Sequence, residues 1–447
     1  MTDLNYGERR RLGDQEDIDI ISLDILKEWK RRNPQIKNVM IFVSDSLRWD
    51  YLPESIANRG IRFKTIASAP FTAGSFPSIV SGLYPNHHGV HSFFDTLSKW
   101  TPTFLNIKNY NTSFWTENVW IDYEPKGSSQ IHRILRCKTP IPLEELKTPF
   151  VYFEDEKGGH CPYGWTENDV YKEIECRKFF SDYGKKPHSE LLKRYKMGID
   201  RSVEEFEKRV RILEKRDLLD STLIIFLSDH GELLGEYGGL VGHGIPTTPE
   251  IAYVPTVFIH PDLPKNITFE EQGVLRHVDL FPTILGLLNI NNEKNVDGVN
   301  LFESNKMPDF GCNYMRKQVI EEGFLKKILD VELKEKSVWD KNGGYLFREG
   351  TNFVLRLILV IYLTTLSRGI HSSYLRGRLQ KTPFKMIKNY FTIWRNYSAS
   401  SIQYGNPHFD KKKSEELIGI LKEKQIENKE ISKIKSTINK LKSDGKI

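Results

Sequence analysis

The sequence predicts an α/β fold on a buried, mostly parallel sheet, and three observations carry the prediction. Asn38–Ser44 (NVMIFVS) and Thr222–Ser228 (TLIIFLS) are unbroken apolar, β-branched runs too short for helices. Strands that read this way are covered on both faces, as in parallel sheets flanked by helices. Just before the second run, Val203, Phe206, Val210 and Leu213 recur at three- and four-residue spacing, which marks an amphipathic helix feeding a strand.

In chain order, the first segment, 1–37, is charged from its start and has no continuous apolar stretch of the kind that directs secretion, so a cytoplasmic location is expected. The four cysteines are widely spaced and form no CxxC pair, which predicts thiols rather than bridges. Within Thr72–Pro85 (TAGSFPSIVSGLYP), Pro77 falls in the first turn of a helix that has Ser75 at its N-terminus and Ile79, Val80 and Leu83 on its buried face. Between Lys126 and Pro187 the periodicity is too poor to assign elements, as expected of insertions that wall a pocket. Ala252–Ile259 contains Pro255 and reads as an edge or interrupted strand, followed by a helix over His277–Leu288. The alternation continues to about Leu301, giving a catalytic domain over 38–302 and a helical, basic C-terminal extension over 303–447.

The chemistry concentrates at strand ends. Both apolar runs finish in Ser-Asp, at Ser44-Asp45 and Ser228-Asp229, which brings two carboxylates to the carboxyl edge of one sheet, where open α/β sheets bind ligands. His230 follows the second at once. Two carboxylates and one imidazole suit a single divalent metal ion, Ca²⁺, Mn²⁺, Mg²⁺ or Zn²⁺. Either Asp alone would more simply cap a helix; together with His230 they form a set. Ser75, at a helix N-terminus that favours anions, is the matching nucleophile.

These residues also carry a family resemblance. Asp45-x-Leu-Arg-x-Asp50, Ser75-Phe-Pro-Ser, Gly82-Leu-Tyr-Pro85 and Gly89-Val resemble the N-terminal half of a sulfatase of the alkaline phosphatase superfamily. Ser228-Asp-His-Gly-Glu232, Leu234-Gly-Glu236 and Asp279-x-x-Pro-Thr283 resemble its second half. The resemblance implies a three-layer sandwich with a mostly parallel sheet, a metal held by Asp45, Ser75, Asp229 and His230, and a covalent intermediate on Ser75 released by water. It places His243 as a catalytic and substrate-binding residue and Asn118 as a substrate-binding one.

The family's Cys(or Ser)-x-Pro-x-Arg becomes Ser75-Phe-Pro-Ser-Ile79 here, so formylglycine is not expected. Glu117 and Val119 stand where sulfatases carry an anion-binding Lys and His. The implied activity is hydrolysis of sulfate or phosphate esters, the phosphatase and phosphodiesterase chemistries included, on an anionic substrate that is glycan- or lipid-linked. The alternatives are a phosphotransferase to a sugar or lipid acceptor and a catalytically silent glycan-binding member.

The formal charge of +6 is uneven, because Ser367–Lys413 holds ten Lys or Arg and one acid, Asp410. Within it, 374–397 interleaves basic and aromatic residues and is a candidate for peripheral membrane contact, while its aromatics could equally dock on the catalytic domain. No nucleic-acid motif accompanies it, so no nucleic-acid partner is expected. The apolar run FVLRLILVIYLTTL is too short to span a bilayer. Ile431, Ile434, Ile438 and Leu441 predict an amphipathic helix at the end of the extension.

Overall fold

The computed structural model describes residues 22–116, 129–137, 140–164, 173–291, 295–318 and 332–422. Asn118, the first 21 residues and the predicted helix over Ile431–Leu441 lie outside them.

Strands that are apolar on both faces form the middle of three layers. The strands are β1 (Asn38–Ser44), β2 (Ile61–Ile66), β3 (Asn111–Thr116), β4 (Phe150–Glu156), β5 (Thr222–Leu227), β6 (Tyr253–Ile259) and β7 (Leu275–Arg276). They run in the order β7-β2-β6-β5-β1-β4-β3, with Ile267–Thr268 pairing β2 from the side. β1 is parallel to both β4 and β5, and β3 to β4. Val39, Ile41 and Val43 of β1 face one core with Leu26 and Trp29 of α1 (Asp24–Arg32), Phe76 and Ile79 of α2 (Thr72–Ser81) and Ile284 of α5 (His277–Leu287). Met40 and Phe42 face the opposite core, with Phe180 of α3 (Glu173–Gly184) and Tyr195, Phe206 and Val210 of α4 (His188–Lys215). The sheet is thus covered on both sides, as its apolar runs require. α1 belongs to this body, so the described part of the segment over 1–37 is packed into the core and is not a separate tail.

β6 corrects one expectation. It lies inside the sheet, antiparallel to both β2 and β5, although it contains Pro255. The missing N–H falls just past the end of β5: the Pro255 carbonyl accepts from Ser228 N at 3.2 Å, and the Ser228 carbonyl is served by His277 Nε2 at 3.0 Å. A proline costs a ladder bond only where the neighbouring strand needs its donor.

The C-terminal part contains the expected helices and, in addition, an antiparallel sheet of β8 (Gly311–Gln318), β9 (Glu332–Trp339), β10 (Gly343–Glu349) and β11 (Ser401–Gly405). Trp339, Leu346 and Tyr404 of this sheet form one core with Ile66 and Tyr253 of the larger one. Between β10 and β11 run α6 (Phe353–Ile361), continued by a π-helical turn over Tyr362–Leu366, then α7 (Ile370–Lys381) and α8 (Pro383–Ser398). The basic-aromatic segment divides: Tyr374, Leu375, Tyr390 and Tyr397 are buried, whereas Phe384 and Phe391 are exposed. No single described helix is long and apolar enough to cross a membrane.

Candidate active site

Parallel register brings the ends of β1, β4 and β5 to one edge, where the chain supplies Asp45, Asp155 and Asp229. Asp45, Asp229 and His230 are all buried and offer ligand atoms within 4.8 Å of one another. His230 Nε2 lies 3.7 Å from Asp45 Oδ1 and 3.4 Å from Asp229 Oδ2. Its Nδ1 is 3.0 Å from the Gly231 carbonyl, which can only accept, so that nitrogen carries the proton and the Nε2 lone pair faces the carboxylates. Such a bond on the far nitrogen is what orients a metal-binding histidine.

Asp229 Oδ1 accepts from the amides of Ser46 and His230, at 3.2 and 2.9 Å, while its Oδ2 is buried with no hydrogen-bond partner. Burial, followed by the charges of Asp229 and Asp155, pushes the Asp45 carboxyl well above the usual carboxylate range. An orphaned carboxylate oxygen beside a second acid and an imidazole lone pair is a donor set that fits one divalent cation.

The hydroxyl beside this set is that of Thr72. Its Oγ1 lies 3.3 Å from His230 Nε2, at the first residue of α2. Ser75 sits one turn further along, fully buried, and its hydroxyl donates to the Ala69 carbonyl at 2.9 Å. The helix starts three residues earlier than Pro77 indicates, so Thr72 and not Ser75 is its first residue, and the Thr72 hydroxyl approaches His230 while that of Ser75 turns to Ala69. Pro77 is the sixth residue of α2, not part of its first turn.

His243 is at the site. Its ring lies 4.3 Å from that of His230 and 4.9 Å from that of His160, centroid to centroid. Its Nδ1 is 2.8 Å from Glu232 Oε2, and Glu232 Oε1 accepts from the Tyr163 hydroxyl at 2.7 Å. With Nδ1 committed, Nε2 is the nitrogen available to a substrate oxygen. Burial pushes His243 down to about 4 and Glu232 up to about 7. Glu232 and His243 also form a second set of ligand atoms with His230.

The sequence reading gave no role to His160, Tyr163 or Glu232. His160 follows β4 in Lys157-Gly-Gly-His, a signal legible as a Gly-rich turn leaving a buried strand. Gly158 has a positive φ of 48°, and a Cβ on it would meet the Asp45 carbonyl at 2.6 Å, so only glycine lets this loop close over Asp45. The loop is fixed there by Gly159 N donating to the same carbonyl at 2.7 Å. His277 is structural: Nε2 serves Ser228 and Nδ1 accepts from Ser68 N at 3.3 Å. Arg48 is bound by Asp50 and Glu236, at 2.8 and 2.6 Å, and so is committed to pairing.

Four likenesses to known proteins accompany this geometry. The Sulfatase family model matches residues 150–290. The low-salt glycan biosynthesis sulfotransferase Agl7 of Haloferax volcanii is 36% identical over 314 residues, covering 69% of this chain and 74% of that protein. A 2-O GAG sulfatase structure superposes with a TM-score of 0.52 at 14% identity, over 83% of this chain and 95% of that one. The phosphonate monoester hydrolase of Agrobacterium radiobacter superposes with a TM-score of 0.52 at 15% identity, over 79% and 96%. At such identities these two structures show a common fold.

Proposed function

Since the chain belongs to the sulfatase family of the alkaline phosphatase superfamily, we propose that it cleaves a sulfate or phosphate ester with Thr72 as nucleophile and Asp45, Asp229 and His230 as the holders of one divalent cation. The observation that carries this reading is the 3.3 Å approach of Thr72 Oγ1 to His230 Nε2 at the opening of α2. Counted from Thr72, the family's Cys-x-Pro-x-Arg falls on Thr72-Ala-Gly-Ser-Phe76, whose first position is a threonine and not the cysteine or serine that is converted to formylglycine. The hydroxyl itself is the nucleophile.

A divalent cation, when bound, supplies Lewis acidity that lowers the hydroxyl's pKa and offsets the charge of the ester. The protein's residues do the rest. The Thr72 hydroxyl gives up its proton and its oxygen bonds to sulfur or phosphorus as the bond from that atom to the ester oxygen breaks, and one proton passes to the departing alkoxide. His243, its Nδ1 held by Glu232, presents Nε2 to the leaving or entering oxygen for that transfer. The N-terminus of α2, through its dipole, stabilises the anion held against Thr72. In the second half the group leaves Thr72 for an incoming hydroxyl and restores the threonine.

Water as that second acceptor makes a hydrolase; an alcohol makes a transferase. The Haloferax relative, named a sulfotransferase of glycan biosynthesis, favours a glycan hydroxyl as the acceptor and sulfate as the group. Release of product from aryl sulfate, aryl phosphate and phosphonate esters, with divalent cation present and with sugar alcohols added, tests both forms. Cation-dependent turnover of any of these esters supports the reading, and acceleration by a sugar acceptor with sulfated or phosphorylated sugar as product selects transfer. No turnover of any ester under any cation defeats it.

A further inference from the structure

Fourteen large apolar side chains are exposed among the described residues, and eight of them lie on α6 with its π turn and on α8. Val354, Ile358, Tyr362 and Leu366 follow one another at four-residue intervals and form a single ridge, Leu366 being 70% exposed. Phe384, Ile387 and Phe391 make a second ridge at three- and four-residue intervals, with Phe384 89% exposed. The opposite face of each helix is buried, through Leu359 and Thr364 on the first and Met386, Tyr390 and Ile393 on the second. The two helices are joined to each other, Trp394 Nε1 donating to Thr364 Oγ1 at 3.1 Å and Arg356 Nε to the Ser398 carbonyl at 2.7 Å. Two linked helices laid on one body therefore turn two apolar ridges outward. An apolar surface of this extent on a soluble body marks a contact with something else.

Charge says what that is. From 351 to 409 the chain contains no Asp or Glu, and Arg368, Lys381, Lys385, Lys388 and Arg395 are exposed around the ridges. Apolar ridges fringed by cations and free of acids complement an anionic lipid surface, where chains enter the acyl boundary and ammonium groups meet the headgroups. The geometry points to lying on the bilayer and not through it. The helix of Phe353–Leu366 is bent by 62° from Ile370–Lys381, and the latter is buried through Tyr374, Leu375 and Gly377. A Cβ on Gly377 would lie 2.7 Å from the Ser181 carbonyl of α3, so α7 is fixed to the catalytic body.

We propose that α6 and α8 are a membrane-docking surface that seats the enzyme on an anionic bilayer. It stands on this surface alone and does not depend on the ester chemistry proposed above. Its consequence for that chemistry is positional. The turn after Leu366 leads into Ile370, which packs on Gly242, and His371, whose Nδ1 accepts from Val241 N at 3.4 Å. These are the residues just before His243, so a docked enzyme holds its catalytic mouth beside the bilayer, within reach of a lipid-carried anionic ester.

The test is cosedimentation of the full chain with vesicles of phosphatidylcholine alone and of phosphatidylcholine mixed with phosphatidylglycerol, alongside sedimentation velocity without lipid. The expected result is binding to the mixed vesicles only, weakened by salt, lost in Ile358→Asp/Phe391→Asp, and reduced roughly 25-fold in Lys385→Ala/Lys388→Ala at about fivefold per charge. If the apolar double variant fails to fold, the lysine variant, altered only at exposed side chains, carries the test. Absence of binding to mixed vesicles, or equal binding by wild type and lysine variant, overturns the proposal. So does a lipid-free dimer that the apolar double variant dissociates, which would assign the surface to a second copy of the chain.

Discussion

Replacing Asp45 by Asn should stabilise the metal-free protein and at the same time remove its response to divalent cations. Asp45 and Asp229 bring ligand oxygens within 4.8 Å of one another in a buried site. At an effective dielectric of about 20, two unit charges at that separation repel by roughly 3 kcal/mol. Burial acts first and Asp229 and Asp155 next to raise the Asp45 pKa above its unfolded value, so the stability it contributes is complete below about pH 4 and declines as pH rises above that. At neutral pH the metal-free wild type carries that penalty; Asn removes the charge and can still accept from the Ser46 hydroxyl, now 2.9 Å from Asp45 Oδ1.

Urea unfolding of Asp45→Asn in chelator should therefore show a gain of about 1–3 kcal/mol, shrinking as pH falls towards 4. A cation at a hundred times its dissociation constant adds about 2.7 kcal/mol to the wild type. The variant should gain far less. A variant less stable than wild type in chelator, or one that the same cation stabilises equally, would refute the like-charge cluster and its role in holding metal.

Other consequences follow from single contacts. Glu156 is pushed up to about 7 by burial, so its proton is held in the folded state and lost from the unfolded one as pH passes 4.5; Glu156→Gln should gain up to about 3 kcal/mol at pH 8, less for the edge left open to solvent, and nothing below pH 4.5. Urea midpoints at the two pH values read this directly. Arg348 Nε donates to Glu335 Oε1 at 2.7 Å where both are nearly enclosed, so Arg348→Leu, which strands a buried carboxylate, should cost about 3–5 kcal/mol in chemical denaturation. His243→Ala should lower turnover of an ester with a poor leaving group by about 100-fold or more, and much less for an activated aryl ester that needs no proton. Equal losses on both esters in steady-state assays would argue for a structural role.

The elements legible in the sequence were those whose signal is local. β1 and β5 are apolar along their whole length because both faces are covered, and their Ser-Asp ends announced Asp45, Asp229 and His230. The start of α2 is legible only to within a turn, because a proline favours the first turn but does not require it; Pro77 sits at the sixth position, where the bond it removes is to Ala73 near the helix start. β9 escaped notice because its inward positions include Glu335 and Ser337, and a strand that buries polar residues shows no apolar alternation. Glu335 is tolerated there because Arg348 stands opposite it on β10 and Thr247 N donates to its other carboxylate oxygen, partners that tertiary structure alone reveals. The same holds for the apolar ridges of α6 and α8: residues such as Leu359 and Ile358 are chemically alike, and which of them faces the core depends on where the helix is laid.

The assignment of the nucleophile is tested most directly by quenching the enzyme during turnover of an activated ester and mapping the added sulfo or phosphoryl group by peptide mass spectrometry. The group should be found on Thr72, absent in Thr72→Ala and retained in Ser75→Ala, with turnover lost only in the former. A group on Ser75, or turnover that survives Thr72→Ala and disappears in Ser75→Ala, would contradict the account.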